Sequence, residues 1–164
     1  MSRQKIKLQP TKTDCLLEAI GFIGIIFIVV FVRAFYNDLP DTIPRHFNLT
    51  GTPDGFGGKS ILFTLSAVTI VTYLILTVGL RFPHIFNYPF EITEENAERQ
   101  YKNMTLMVRF IKTFIVMAFV YLTYATIKIG LGEMQGLGAW FTPVTLVSVL
   151  GTVGYFIYQG FKLQ

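Results

Sequence analysis

A single cysteine, Cys15, excludes any disulfide within the chain, so cysteine usage carries no information on the redox compartment. Charge is equally scarce: 15% of the 164 residues are Asp, Glu, Lys or Arg, where an ordinary soluble domain has about 25%. The net charge of +4 is scattered over the ends and connections, with no basic stripe interleaved with aromatics, which argues against nucleic acid as a partner. Ser/His/Asp and Cys/His sets with supporting context are missing, as is a convincing internal repeat. No cofactor is expected.

What abounds is apolar surface, at 52% hydrophobic and 15% aromatic residues. A hydrocarbon core of about 30 Å takes about 20 helical residues to cross. Four runs are long enough: Leu16 to Tyr36, Ile61 to Leu80, Leu106 to Ile129 and Ala139 to Phe161. The expected fold is an all-α integral membrane protein, a single domain over 1–164 with four transmembrane helices and the lipid bilayer as its first partner. A loop at 37–60 and another at 81–105 join the first three spans. The first run follows Arg3, Lys5, Lys7 and Lys12, as a signal peptide would. Its apolar core is too long and no A-x-A-like site follows, so it is expected to be an uncleaved anchor.

Lysine and arginine set the orientation. The N-terminal tail has four of them and the second loop has Arg81, Arg99 and Lys102, so both are expected to be cytoplasmic. The first loop carries Arg45 and Lys59 and the third connection Lys128, so these should face outward, with both termini inside. Trp140 and Phe141 then fall where an aromatic belt sits. Glu18, Arg109 and Lys112 lie near the cytoplasmic ends of the first and third spans. Their opposite signs at similar depth predict a contact from Glu18 to Arg109 or Lys112. Snorkelling of each base to the headgroups is the alternative. Small residues at helical spacing, Gly21 and Gly24 in the first span and Ser148, Gly151, Thr152 and Tyr155 in the fourth, suit close helix packing or a homo-oligomer interface equally.

In the second loop, Pro83 and Pro89 forbid a continuous helix over Arg81 to Phe90, and its apolar side chains are expected to lie flat on the inner membrane face. His84 among aromatics reads as structural more readily than as a ligand or pH sensor. Thr93 offers an N-cap ahead of Glu94 and Glu95, starting a helix that runs into the third span. Glu95 with Arg99 and Glu98 with Lys102 are i,i+4 pairs.

The loop LPDTIPRHFNLTGTPDGFGGKS, Leu39 to Ser60, is the polar segment built to hold a shape. Pro40 and Pro44 keep their preceding residues extended, and Ile43 to Phe47 suits a short strand. Thr52-Pro53-Asp54-Gly55 fits a type I turn, while Gly55, Gly57 and Gly58 permit backbone conformations closed to other residues. Ser60 is placed to cap the second helix. Asp41, Arg45, His46, Asn48, Asp54 and Lys59 are the candidate binding residues. Asp41, His46 and Asp54 also suit a hard metal or acid/base work, although their spacing matches no ligand signature, and turn-satisfying roles are the simpler reading. Asn48-Leu49-Thr50 and Asn103-Met104-Thr105 are formal glycosylation sequons of a kind that arises by chance.

The same loop resembles the signature of a bacterial membrane family, domain of unknown function 1648, which forms the N-terminal portion of SdpI-type toxin-immunity proteins. The resemblance lies in Leu39-Pro40, Ile43-Pro44, His46-Phe47-Asn48, Gly51, Pro53-Asp54, Gly57 and Lys59. The stretch from Phe82 to Tyr101, FPHIFNYPFEITEENAERQY, is similar to short stand-alone members. The resemblance implies a multi-pass protein of the bacterial inner membrane and names no catalytic residue. Longer SdpI-type proteins carry further spans, so the expectation is a short four-span member to which immunity need not transfer.

Two functional classes follow. In one, the outer loop recognises an extracytoplasmic peptide, toxin, lipid or membrane-protein partner, as in immunity or signalling. In the other, Asp41, His46 and Asp54 gather a metal in a small membrane-surface enzyme. A small transporter is a third alternative, weakened by the lack of an ionisable residue or clear helix break at any span centre.

Overall fold

The computed structural model describes residues 3–164. Four helices, α1 (Lys12–Phe35), α2 (Ile61–Gly79), α3 (Ala97–Gly130) and α4 (Phe141–Lys162), are each long and apolar enough to cross a membrane. They are not the whole fold. Strands β1 (Thr42–Phe47) and β2 (Pro53–Gly58) pair antiparallel between α1 and α2, so the expectation of an all-α chain is corrected to a helical bundle with a two-stranded sheet. The local reason is the run Ile43 to Phe47, extended by Pro44, which finds a Gly-rich partner able to lie close against it.

The expected turn at Thr52 to Gly55 is also corrected, since Pro53, Asp54 and Gly55 belong to β2. The chain reverses earlier, over Leu49-Thr50-Gly51. Gly51 donates to the carbonyl of Asn48 at 2.9 Å and takes φ of 78°, the left-handed conformation that closes a three-residue hairpin loop. The Asn48 side-chain oxygen accepts from the backbone N–H groups of Thr50 and Thr52, both at 3.0 Å, and so does the organising work that the Pro-Asp-Gly sequence suggested for itself.

α1 begins with a capping box: Thr11 Oγ1 accepts from the Asp14 N–H, and Asp14 Oδ2 accepts from the Thr11 N–H. At α3, Thr93 and Asn96 make the same reciprocal pair one turn ahead of Ala97, and the helix continues unbroken for 34 residues. Glu98 meets Lys102 at 2.6 Å, whereas Arg99 turns from Glu95 to the carbonyls of Leu163 and Gln164. Ser60 makes no side-chain cap at α2, being itself in a helical conformation that carries its hydroxyl off the helix axis end.

α3 is the central element, touching α1, α2, α4 and β1. Gly21 brings α1 against the Tyr73 ring of α2, and Gly24 brings it against Val116 and Val120 of α3, so these two glycines serve packing within the bundle. At one end, hereafter the hairpin end, Leu39 and Ile43 join Ile28, Val32, Leu62 and Ile127 in a buried core. Both lie close over Gly130, whose missing side chain makes the approach possible.

The opposite, tail end holds a second core that the expectation of a segment lying flat on the membrane missed. Tyr88 and Phe90 are buried with Ala97, Tyr101 and Met104, and Ile6 and Leu8 from the N-terminal segment pack on them. Arg3 donates to the carbonyl of Phe86 at 2.5 Å and stacks over the Tyr88 ring, while Tyr101 donates to the carbonyl of Gln4 at 3.2 Å. Gln100 donates to the carbonyl of Gly160 at 2.8 Å, tying in the end of α4. A short 3-10 turn, Pro83–Ile85, packs the start of the loop against α3.

Candidate functional site

The hairpin is fixed at its base and at its tip. At the base, Lys59 donates to the carbonyl of Leu39 at 2.9 Å and stands 3.5 Å from Asp41. At the tip, Leu137 of the α3–α4 connection donates its N–H to the carbonyl of Gly51 at 2.7 Å. Leu137 is itself buried, and nothing in its sequence neighbourhood signalled the contact. Across the strands, His46 Nδ1 pairs with Asp54 Oδ1 at 2.5 Å. Their side chains are 72% and 42% exposed, so the pair is worth at most about 1 kcal/mol and orients the ring more than it stabilises the fold. Arg45 sits at the bulge between Pro44 and His46 and folds its side chain over Gly57, where any side chain on the opposite strand would collide.

Thus four of the six candidate residues form two pairs, His46 with Asp54 and Asp41 with Lys59, while Arg45 lies along β2 and Asn48 is spent on the turn. Asp41, His46 and Asp54 do not converge. Among the described residues no group of three or more His, Cys, Asp or Glu side chains is placed to hold a metal ion. The proline and glycine positions of the motif act on the backbone: Pro44 in β1, Pro53 opening β2, Gly51 at the turn, and Pro40 just ahead of the hairpin. Below the hairpin, a cavity of about 270 Å³ runs to α2, α3 and α4, with Arg45 and His46 on one wall and Leu65, Leu122 and Phe141 on the others. Outward, Leu49 and Phe56 stand largely exposed.

The second constellation lies within the bundle toward the tail end. Lys112 Nζ meets both oxygens of Glu18, at 2.7 and 2.6 Å, and Thr77 Oγ1 at 2.9 Å. Arg109 stands 3.4 Å from Glu18 and 3.2 Å from Asp14, and the Tyr73 hydroxyl donates to Glu18 at 3.0 Å. Glu18 therefore contacts both bases expected of it. Asp14 and Tyr73 are members that sequence reasoning missed, although the Thr11-to-Asp14 spacing is a readable capping box. Fully buried, Lys112 is tolerable there only because a carboxylate and a hydroxyl meet it.

The fourth-helix stripe behaves differently from that of α1. A side-chain carbon added at Gly151 would meet nothing within contact distance, and Gly151, Thr152 and Tyr155 line an open groove against Asn103 and Phe110 of α3. Trp140, Phe141 and Tyr121 cluster at the start of α4.

Comparison with known proteins agrees with the motif. A protein of Archaeoglobus fulgidus, described as an uncharacterized protein, is 33% identical over 87 residues, 48% of each chain, so this chain spans about half the length of the relative it matches. No solved structure matches. Residues 22–70, from the middle of α1 through the hairpin into α2, match the family described as Domain of unknown function (DUF1648).

Proposed function

We propose that the protein is a multi-pass protein of a bacterial-type cytoplasmic membrane whose hairpin end is an extracytoplasmic recognition surface for a peptide, toxin or membrane-protein partner, in an immunity or signalling role. One observation carries the reading: Leu49 and Phe56 are left exposed on a hairpin that is itself bolted to the bundle through Leu39, Ile43 and the Gly51–Leu137 bond. Exposed apolar side chains on a preorganised scaffold, rimmed by His46, Asp54 and Lys59, are the arrangement that binds at low entropic cost. The outward orientation is supported by the basic residues of the tail and second loop.

The test has two parts. With Cys15 replaced by serine, a cysteine at Leu49 should react with a membrane-impermeant maleimide on intact cells, and failure to react would place the hairpin inside. Bacteria producing the wild type should then survive at least one of a panel of membrane-active peptides and toxins, with protection lost in Leu49→Ala/Phe56→Ala and in His46→Ala at normal abundance. Protection unchanged in these variants overturns recognition through the hairpin.

A further inference from the structure

At the tail end a cavity of about 640 Å³ separates the N-terminal segment from the end of α2 and from Arg109 of α3. Lys7, Arg81 and Arg109 stand on its walls against one acid, Glu18. That acid is already satisfied: Lys112 and Tyr73 occupy both of its oxygens from the other side. Lys7 and Arg81 make no ion pair among the described residues, while Arg109 is paired with Asp14 and Glu18 at 3.2 and 3.4 Å. The cavity therefore presents unspent positive charge. Beside Gln9 and Thr77, the remaining wall carries an apolar strip of Ile6, Leu8 and Leu80, and it lies where α2 ends.

A soluble anion needs the charge but has no use for the apolar wall. A membrane amphiphile uses both, because at the end of a span the headgroup meets water while its chains remain beside the helices. We propose that this cavity is a headgroup site for an anionic phospholipid, with the phosphate at Lys7, Arg81 and Arg109 and the glycerol and upper chains along Ile6, Leu8 and Leu80. The site is independent of the hairpin. Lysines and arginines beside membrane helices attract acidic headgroups in general, but here one of the three is held in place by Asp14 and Glu18, which gives the site a fixed geometry.

The test uses the full chain purified in a neutral detergent, with phosphatidylglycerol and phosphatidylcholine added in turn and bound lipid counted by native mass spectrometry. Phosphatidylglycerol should bind at least about tenfold more tightly, and Lys7→Gln/Arg81→Gln should remove that preference while the thermal transition in detergent stays put. Lys5→Gln/Lys102→Gln, which removes equal charge from the same end away from the cavity, should leave the preference intact. Equal binding of the two lipids, equal loss in both double variants, or displacement of phosphatidylglycerol by excess inorganic phosphate would each overturn the assignment, the last in favour of a free phosphate ligand.

Discussion

Lys112 Nζ lies 2.7 and 2.6 Å from the two carboxylate oxygens of Glu18, joining α3 to α1 inside the bundle. The partners are not equivalent. Lys112 is fully buried, whereas Glu18 keeps 32% of its side chain exposed and also faces Arg109. Glu18→Gln strands a buried cation and should cost about 3–5 kcal/mol, while Lys112→Met leaves Glu18 with Arg109 and Tyr73 and should cost less. The double variant should recover much of the loss. Unfolding in detergent of the four members of the cycle measures it, and strictly additive losses would show that the contact carries no coupling.

Gly51 and Gly132 both have φ near 80°, but their surroundings differ. A side-chain carbon at Gly51 would meet the carbonyl oxygen of Gly138 at 2.7 Å, whereas Gly132 has open space. Gly132→Ala should therefore cost only the left-handed strain of about 1–2 kcal/mol, and Gly51→Ala clearly more. Limited proteolysis should find the hairpin loosened only in Gly51→Ala.

Gly160 and Gly151 make the matching contrast on α4. A side chain at Gly160 would run into the Phe90 ring, while one at Gly151 meets nothing. Gly160→Val should lower thermal stability and release the end of α4. Gly151→Ala should be neutral or stabilising by up to about 1 kcal/mol from helix propensity. A loss at Gly151 as large as that at Gly160 would mean that a second copy packs there.

Burial pushes the Tyr88 hydroxyl well above the ordinary tyrosine value of 10.0, with Tyr101 nearby adding to the rise. A raised folded-state value means that the neutral form is preferred on folding. The stabilisation is complete below about pH 10 and is lost as pH climbs through the folded-state value. The tail-end core should thus loosen in alkali, and Tyr88→Phe should blunt that sensitivity while losing the hydrogen bond to the carbonyl of Pro83, worth about 1 kcal/mol. A pH series of near-ultraviolet circular dichroism checks both.

The four helices were legible because each span is a continuous apolar run, and the Glu18 contact because opposite charges at equal depth have few alternatives. The Pro53-Asp54-Gly55 turn was misplaced for a physical reason: those residues favour a turn locally, but Asn48 supplies its side-chain oxygen to two N–H groups upstream and closes the chain sooner. The tail-end core was hidden because its halves, Ile6 and Leu8 on one side and Tyr88 and Phe90 on the other, are about 80 residues apart with no shared periodicity. The Gly51–Leu137 tie was invisible likewise, being made by backbone atoms that carry no sequence signature.

α3 has a consequence for how the two ends behave together. At about 1.5 Å per residue its 34 residues form a rod of about 50 Å, and Gly130 at one extremity seats Leu39 and Ile43 while Gln100 at the other grips α4. One continuous helix thus carries the anchor of each end, and Lys112 sits on it between them, so the Glu18 contact and the Gly24 packing against Val116 and Val120 lie on the same rod that holds the hairpin.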